Sequence, residues 1–243
     1  MKYFVSSDIH GYFDLWQDAL KEKGFDINNE NHKIIVCGDL FDRGRQPKEI
    51  INFILKNPEK FILIRGNHED LMDEMILRNS NTLADLSNGT AQTIIDLCPE
   101  WLITKFELDK IAKHTGLQEV LDMCIDYYET EHYVFVHGWI PTVDGTFLYD
   151  KDWRNASKVD WQMARWKRSY EMYVCKIFEP GKTIVSGHYT CSALWHETQP
   201  DKYDKFGKNE YFEPFISENV IGLDACTAYS KKVNVVVIED WFL

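Results

Sequence analysis

Carboxylate, imidazole and carboxamide side chains recur in this sequence at the points where apolar runs end. Asp8 and His10 follow the first run, and Asp39 and Asp42 follow the second within four residues. Carboxylates held this close repel each other unless a cation or a polar turn compensates them. Later runs end on the remaining polar residues of this kind, which are Asn67, His68, His137 and His188. Such oxygen and nitrogen ligands suit Mn²⁺, Fe or Zn²⁺, so a metal site is the leading hypothesis.

Seven short runs rich in β-branched residues predict buried strands. They cover residues 2–8, 33–39, 60–67, 132–138, 182–188, 219–224 and 232–240. Side chains alternate along a strand, so the spacing of Asp8 and His10 predicts that both point the same way. Because sites in open α/β sheets form beyond the carboxyl ends of the strands, we expect the polar residues to meet at one rim.

Helical patterns separate these runs and favour an α/β fold. Residues 13–23, 47–56 and 117–128 carry apolar side chains at helical spacing, and Pro47 suits a first helical turn. Between His68 and His132 the sequence shows helical stretches and no convincing strand. We therefore predict a helical insertion over about 70–131 that caps the core.

Composition and charge narrow the class of protein. The 243 residues suffice for one large domain, and 44% hydrophobic with 27% charged residues is typical of a soluble globular protein. No apolar stretch approaches the ~20 residues that span a bilayer, and the first residues resemble a strand, so a cytoplasmic protein is expected. A net charge of −12 disfavours nucleic acid and anionic membranes as partners. The six cysteines lack paired spacing and are predicted to be reduced.

Five motifs, in order, carry a resemblance to a known family. They are SDIHG at 7–11, GDLFDRG at 38–44, RGNHED at 65–70, VHG at 136–138 and SGH at 186–188. Together they resemble the calcineurin-like metallophosphoesterases, and GD-x-x-DRG with RGNHE is similar to the serine/threonine phosphoprotein phosphatase branch, including bacterial and phage members. The resemblance implies a single domain over 1–243 with a four-layer α/β fold, two packed mixed sheets flanked by helices.

The resemblance also implies two divalent metal ions. Asp8 and His10 would bind the first ion, and Asp39 would bridge both. The ligands that would complete the second site are Asn67, His137 and His188. Mn²⁺ is the expected metal, with Fe or Zn²⁺ as alternatives.

Further implied roles concern the substrate. His68 would protonate the leaving oxygen, with Asp42 orienting its ring, and Arg43 would bind the phosphate. The segment DWQMARW at 160–166 is similar to bacterial relatives, which makes Arg165 a second candidate for phosphate binding.

The implied reaction is hydrolysis of a phosphomonoester by in-line attack of a hydroxide that bridges the two metals. Phosphoserine or phosphothreonine in a protein is the expected substrate. The alternative is a hydrolase of diadenosine polyphosphates or another small phosphorylated molecule. A third hypothesis, from another class, is a non-catalytic metal-binding scaffold.

Several aromatic and histidine residues outside the motifs are left open. Trp139 could narrow the pocket, stack on a substrate or pack beneath the rim, and His196 could pack or approach the metals. Packing or surface roles are expected for the remaining set, which is His32, His114, His132, Trp153, Trp161 and Trp166.

Overall fold

The computed structural model describes residues 1–98 and 107–240. Its strands are β1 (Lys2–Ser6), β2 (His32–Cys37), β3 (Phe61–Ile64), β4 (Tyr128–Glu129), β5 (Tyr133–Phe135), β6 (Thr183–Ser186), β7 (Phe215–Ile216), β8 (Val220–Gly222) and β9 (Val236–Glu239). Its α-helices are α1 (Phe13–Glu22), α2 (Pro47–Lys56), α3 (Asn67–Arg78), α4 (Leu83–Asn88), α5 (Thr90–Leu97), α6 (Leu108–Thr115), α7 (Leu117–Asp122), α8 (Lys158–Arg165), α9 (Ser169–Val174), α10 (Cys191–Thr198) and α11 (Thr227–Ser230).

Two mixed sheets form the centre of the fold. The strand order is β3-β2-β1-β9 in the first sheet and β4-β5-β6-β8-β7 in the second. β1, β2 and β3 run parallel, as do β5, β6 and β8, while β4, β7 and β9 pair antiparallel at the edges. The carboxyl ends of each parallel set therefore lie along one end of its sheet.

The two sheets pack against each other with helices outside, which confirms the four-layer α/β fold. In β1, Tyr3 and Val5 share a core with Phe135 and Val185 of the second sheet. The intervening Phe4 lies in a separate core with the helices of the first sheet. A third core joins the outer face of the second sheet to the indoles of Trp139, Trp153 and Trp161. Burial of both faces explains why these strands form continuous apolar runs.

Each of the seven predicted runs contains one observed strand, but the strands end earlier than the polar residues. β1 ends at Ser6, before Asp8 and His10. The prediction that Asn67 and His68 end the third strand is wrong, because they form the first turn of α3. The two-residue edge strands β4 and β7 were not predicted, since two residues carry no alternation pattern.

The helix predicted over 117–128 ends at Asp122. Beyond it, Ile125 pairs with Ile64 in a parallel bridge, and the Ile125 N–H donates to the Leu63 carbonyl at 2.9 Å. Pairing with the edge of the first sheet thus overrides the helical periodicity of this segment.

The described helices between β3 and β4 belong to the outer layer of the first sheet. Met72, Ile94, Ile111 and Val120 share one core with Trp16 of α1. The short strand β4 lies inside the predicted limits of 70–131, so that range is not wholly helical. Its role as a cap stays a prediction. Within the described ranges, no helix is both long enough and apolar enough to cross a membrane.

Candidate active site

The predicted metal ligands converge beyond the carboxyl ends of the two parallel strand sets. Among the described residues, three groups of side chains could each hold a metal ion, and within each group the ligand atoms lie within 4.8 Å of one another. Two of them lie at this rim, and the third, which is Glu131, His132 and Asp240, shares no residue with them. The first group is His10, Asp39 and His68, and the second is Asp39, His137 and His188. Asp39 belongs to both groups, which is the geometry that a bridging carboxylate requires.

Asn67 and Asp8 border the second group. Asn67 Oδ1 lies 2.7 Å from His137 Nε2 and 2.9 Å from His188 Nδ1. Asp8 Oδ2 accepts the backbone N–H of His188 at 3.0 Å. The first group contains His68 where the sequence suggested Asp8, so the assignment of Asp8 to the first ion stays a prediction.

The backbone that carries these side chains is left-handed. Asp8, His10 and Asp39 have φ of 51°, 50° and 57°, and His188 has φ of 65°. The expected strand alternation of Asp8 and His10 is therefore wrong, because both residues lie in a turn beyond β1. Non-glycine residues with positive φ are uncommon and concentrate at functional sites, where the surrounding structure holds them.

Two glycines let the backbone approach the buried carboxylates. A Cβ at Gly66 would lie 2.2 Å from Asp39 Oδ1, and a Cβ at Gly187 would lie 2.2 Å from Asp8 Oδ2. Any side chain at either position would collide with a ligand atom. The glycines of the RGNHED and SGH motifs are thus explained by space around the site.

Hydrogen bonds on the far side of two rings fix which nitrogen faces the site. His10 Nδ1 lies 3.1 Å from the Phe41 carbonyl, and His137 Nδ1 lies 2.8 Å from the Cys37 carbonyl. A carbonyl only accepts, so Nδ1 carries the proton and Nε2 presents a lone pair. Burial lowers the pKa of both imidazoles well below the usual range, with neighbouring cationic groups adding to the effect. Both rings are therefore neutral, which is the form in which histidine binds a metal.

The buried carboxylates require positive charge. Burial raises the pKa of Asp8 well above its usual range, and the charges of Asp224 and Asp39 raise it further. Burial likewise raises the pKa of Asp39 to about 7. Beside them, the lone pair of His137 Nε2 faces Asn67 Oδ1 at 2.7 Å and Asp39 Oδ1 at 3.4 Å. Lone pairs converging from several sides fit a divalent cation.

His68 and Asp42 form a close pair at the edge of the first group. His68 Nδ1 lies 2.6 Å from Asp42 Oδ2, and both side chains are almost fully buried. Burial lowers the pKa of His68, but the charge of Asp39 and the hydrogen bond to Asp42 outweigh it, so the net shift is upward. The ring therefore keeps a proton more readily than a free histidine and presents Nε2 to the site.

Arg43 lies at the site, whereas Arg165 is bonded to two acids. Arg43 Nη1 is 2.6 Å from His10 Nε2, and Nη2 is 3.2 Å from His68 Nε2. Arg165 is buried, with Nη1 2.7 Å from Asp70 Oδ2 and Nη2 bonded to Asp126. A role for Arg165 in phosphate binding would require it to exchange these partners, and it stays a prediction.

The aromatic and histidine residues left open have defined places. Trp139 is buried, and its Nε1 donates to the Ile177 carbonyl at 3.1 Å, so it packs beneath the rim. The Trp166 ring stands edge-on to His188 with 5.6 Å between centroids. His196 lies in α10, and its Nδ1 is 2.9 Å from the Tyr203 carbonyl oxygen.

Sequence reasoning gave no role to several residues that support the ligands. Glu69 accepts the N–H groups of Asp39 at 2.9 Å, Leu40 at 2.9 Å and Gly66 at 2.7 Å, and so ties two motif loops together. Thr227 Oγ1 donates to the Asp8 carbonyl at 2.7 Å. Glu69 lies inside the quoted RGNHED motif, and its place in that motif was the signal available in the sequence.

Comparison with known proteins agrees with this geometry. The family model described as calcineurin-like phosphoesterase matches residues 1–223, so the chain belongs to that family of metal-dependent hydrolases. The chain is 27% identical over 107 residues to the asymmetrical bis(5'-nucleosyl)-tetraphosphatase PrpE of Bacillus velezensis, a match that covers 41% of this chain and 43% of that protein. It is 41% identical over 71 residues to serine/threonine-protein phosphatase PP1-delta of Caenorhabditis elegans, covering 27% of this chain and 22% of that protein.

Both matches span less than half the length of these curated relatives. Among solved structures, the cold-active protein-tyrosine phosphatase of a psychrophilic Shewanella species superposes with a TM-score of 0.56 at 18% identity, covering 98% of this chain and 75% of that one. At this identity the likeness concerns the fold, which it confirms.

Proposed function

We propose that this chain hydrolyses phosphomonoesters with two divalent metal ions, and that phosphoserine or phosphothreonine in proteins is its substrate. The observation that carries the proposal is the place of Asp39 in both metal-ligating groups, with the His68–Asp42 pair beside them. When bound, two such ions lower the pKa of an attacking water and stabilise negative charge on the phosphoryl oxygens. Mn²⁺ is the proposed metal.

The side chains divide the remaining work. Asp8, His10 and Asp39 would hold one ion, and Asp39 would share the second with its other ligands, Asn67, His137 and His188. Since His68 Nδ1 is engaged by Asp42, Nε2 is the atom that would give its proton to the leaving oxygen. The Arg43 guanidinium lies between the two histidine rings and would bind phosphate oxygens.

The test is turnover of p-nitrophenyl phosphate after metal stripping and after return of Mn²⁺. Activity should return with the metal. Asp39→Asn should lower the rate of turnover about 100-fold or more, because substituting residues that only hydrogen-bond to metal ligands already costs roughly 10–100-fold in metal affinity or activity. His68→Asn should lose about 100-fold while still binding metal. His132→Asn is the matched control, because His132 Nδ1 pairs with Asp240 Oδ1 at 2.8 Å outside this site. Full activity of either site variant would contradict the mechanism.

A second candidate is hydrolysis of a dinucleoside polyphosphate. It is supported by aromatic and cationic side chains around Tyr189, the residue next to His188. The Tyr189 and Tyr170 ring centroids lie 5.2 Å apart, and the Arg168 guanidinium lies 4.9 Å from the Tyr189 centroid. Lys205 Nζ lies 3.3 Å from the Tyr170 centroid. Aromatic rings stack on bases and cations pair with phosphates, so this cluster suits a nucleotide.

Competing turnover of a phosphoserine peptide and diadenosine tetraphosphate separates the two candidates. If the nucleotide is the substrate, Tyr189→Leu should raise its KM about tenfold and leave the peptide unaffected. Tyr211→Leu is the matched control, since Tyr211 stacks on Tyr203 at 4.7 Å in a neighbouring cluster. Equal KM values in wild type and Tyr189→Leu would exclude the stacking role.

A further inference from the structure

Helix α5 supplies two buried hydroxyls to the carboxylate of Asp42. Thr90 Oγ1 donates to Asp42 Oδ2 at 2.8 Å, and Thr93 Oγ1 donates to Asp42 Oδ1 at 2.7 Å. Both threonines are at most 1% exposed. Oδ2 is also the oxygen that lies 2.6 Å from His68 Nδ1. Each oxygen of this carboxylate is thus bonded to a hydroxyl on α5, and one of them also to the catalytic ring.

The orientation of Asp42 needs such support. A carboxylate turns readily about its terminal torsion, so a single hydrogen bond to His68 would leave its plane free. Thr90 and Thr93 are three residues apart and therefore lie on one face of the helix. Their branched Cβ atoms restrict χ1, which limits the positions open to each hydroxyl oxygen. Bonds to both oxygens define the plane of the carboxylate.

The same helix also holds the backbone of Asp42. The Asp42 N–H donates to Thr93 Oγ1 at 3.0 Å, in a loop where Asp42 and Arg43 have φ of 71° and 58°. Asp42 and Arg43 lie outside any strand or helix, so the hydrogen-bond ladder of a regular element does not hold their left-handed conformation. Thr93 therefore contacts both the main chain and the side chain of Asp42.

We propose that Thr90 and Thr93 are positioning residues, which hold the Asp42 carboxylate and, through it, align His68 for proton donation to the leaving oxygen. The inference rests on the proposed function of His68. It assigns to the helical segment between β3 and β4 a direct part in aligning the reacting groups.

The first test compares esters with good and poor leaving groups. A misaligned general acid slows a poor leaving group most, because a good one departs with little help from a proton. Thr93→Val and the Thr90→Val/Thr93→Val double variant should lose about tenfold in kcat on phenyl phosphate and less than about threefold on p-nitrophenyl phosphate. Thr93→Ser keeps the hydroxyl and should recover most of the rate.

Thr130→Val is the matched control. Thr130 is also fully buried, and its Oγ1 donates at 2.7 Å to Asp240, a carboxylate that itself pairs with a histidine. Thr130→Val loses the same kind of hydrogen bond. It should lower kcat on phenyl phosphate and on p-nitrophenyl phosphate by the same factor, or leave both unchanged. Equal losses on the two esters in Thr93→Val and the double variant would overturn the proposal.

A second test does not depend on turnover. The proton between His68 Nδ1 and Asp42 should give a downfield ¹H NMR signal, which is assigned by its absence from His68→Asn. The signal should shift or disappear in the double variant and persist in Thr93→Ser and Thr130→Val. An unchanged signal in the double variant would overturn the proposal. If wild type hydrolyses neither ester, the proposed function fails, and this signal alone decides the role of the threonines.

Discussion

At the residue scale, the raised pKa of Asp39 predicts how metal binding should depend on pH. Burial raises its pKa to about 7, so below that pH a proton competes with the metal for the carboxylate. His188 does not compete in the same range, because burial lowers its pKa to about 4 and it is already neutral at pH 6. We therefore expect any proton released on metal binding to come from the carboxylates.

We expect the affinity for Mn²⁺ to fall as the pH is lowered from 8 to 6. The fall should approach about tenfold per pH unit for each proton displaced, once the pH is below the raised pKa. Calorimetric titration at both pH values, in buffers of different ionisation enthalpy, measures affinity and proton release together. Asp96→Asn, which changes a carboxylate that pairs with Arg45 at 3.0 Å and belongs to none of the metal-holding groups, should retain the dependence. A pH-independent affinity of wild type would contradict the buried-carboxylate account.

That the candidate ligands lie together could be predicted from the sequence, but the backbone conformation that presents them could not. The order and context of the motifs predicted six metal ligands, and the structure brings their side chains to one site. That they bind metal stays a prediction. The expectation that strand alternation points Asp8 and His10 the same way was wrong. Both residues have left-handed φ values, which the amino-acid sequence does not reveal. The partners of Arg165 were equally hidden, since Asp70 and Asp126 are distant from it in sequence.

At the scale of elements, the start of α5 fits closely against the GDLFDRG loop. A Cβ at Gly89, whose φ is +90°, would lie 2.6 Å from the Arg43 backbone nitrogen. Gly24, at the end of α1, has a similar φ of +83° but nothing within 4 Å of such a Cβ. The two glycines therefore separate the effect of backbone conformation from that of close packing.

Gly24→Ala should lower the free energy of unfolding by about 1 kcal/mol, which is the cost of a left-handed alanine. Gly89→Ala should lower it by about 3 kcal/mol, because the collision with Arg43 adds to that cost. Urea unfolding measures both values. Gly89→Ala should also reduce turnover, as it displaces Arg43, and equal stability and activity of the two variants would contradict this packing.

The strands of three or more residues and helix α2 could be predicted from the sequence. The apolar patterns that indicate them lie within each segment. Pro47–Lys56 was expected and observed with the same limits. The end of α7 could not be predicted, because the helical pattern continues through Ile125 while that residue pairs with Ile64. The contact of α5 with Asp42 could not be predicted for the same reason. In the sequence Thr90 and Thr93 do not differ from ordinary helix residues, and only the fold brings them to Asp42.

At the scale of the whole molecule, the candidate ligands come from both sheets. Asp39 follows β2 of the first sheet, while His137 and His188 follow β5 and β6 of the second. An ion bound between them would join loops of the two halves. Metal binding should therefore stabilise the complete fold and not one loop.

Mn²⁺ at about 100 times its dissociation constant should add roughly 2.7 kcal/mol per site. For a chain of this size that corresponds to a rise of roughly 5–10 °C in the unfolding midpoint. Thermal unfolding of chelator-treated protein, with and without added Mn²⁺, measures the shift. Asp39→Asn should lose most of it, and identical midpoints for wild type in both conditions would show that the metal does not join the halves.

The pairing of β1 with β9 has a consequence for synthesis on the ribosome. Val5 pairs with Val236, so one edge of β1 is covered by a strand that is made more than 200 residues later. At 5–20 residues per second, roughly 10–50 seconds separate the two. Throughout that time the nascent chain exposes an apolar strand edge that can pair with other chains. Yield in cells should therefore depend on chaperone capacity and elongation speed, even where the finished protein is stable.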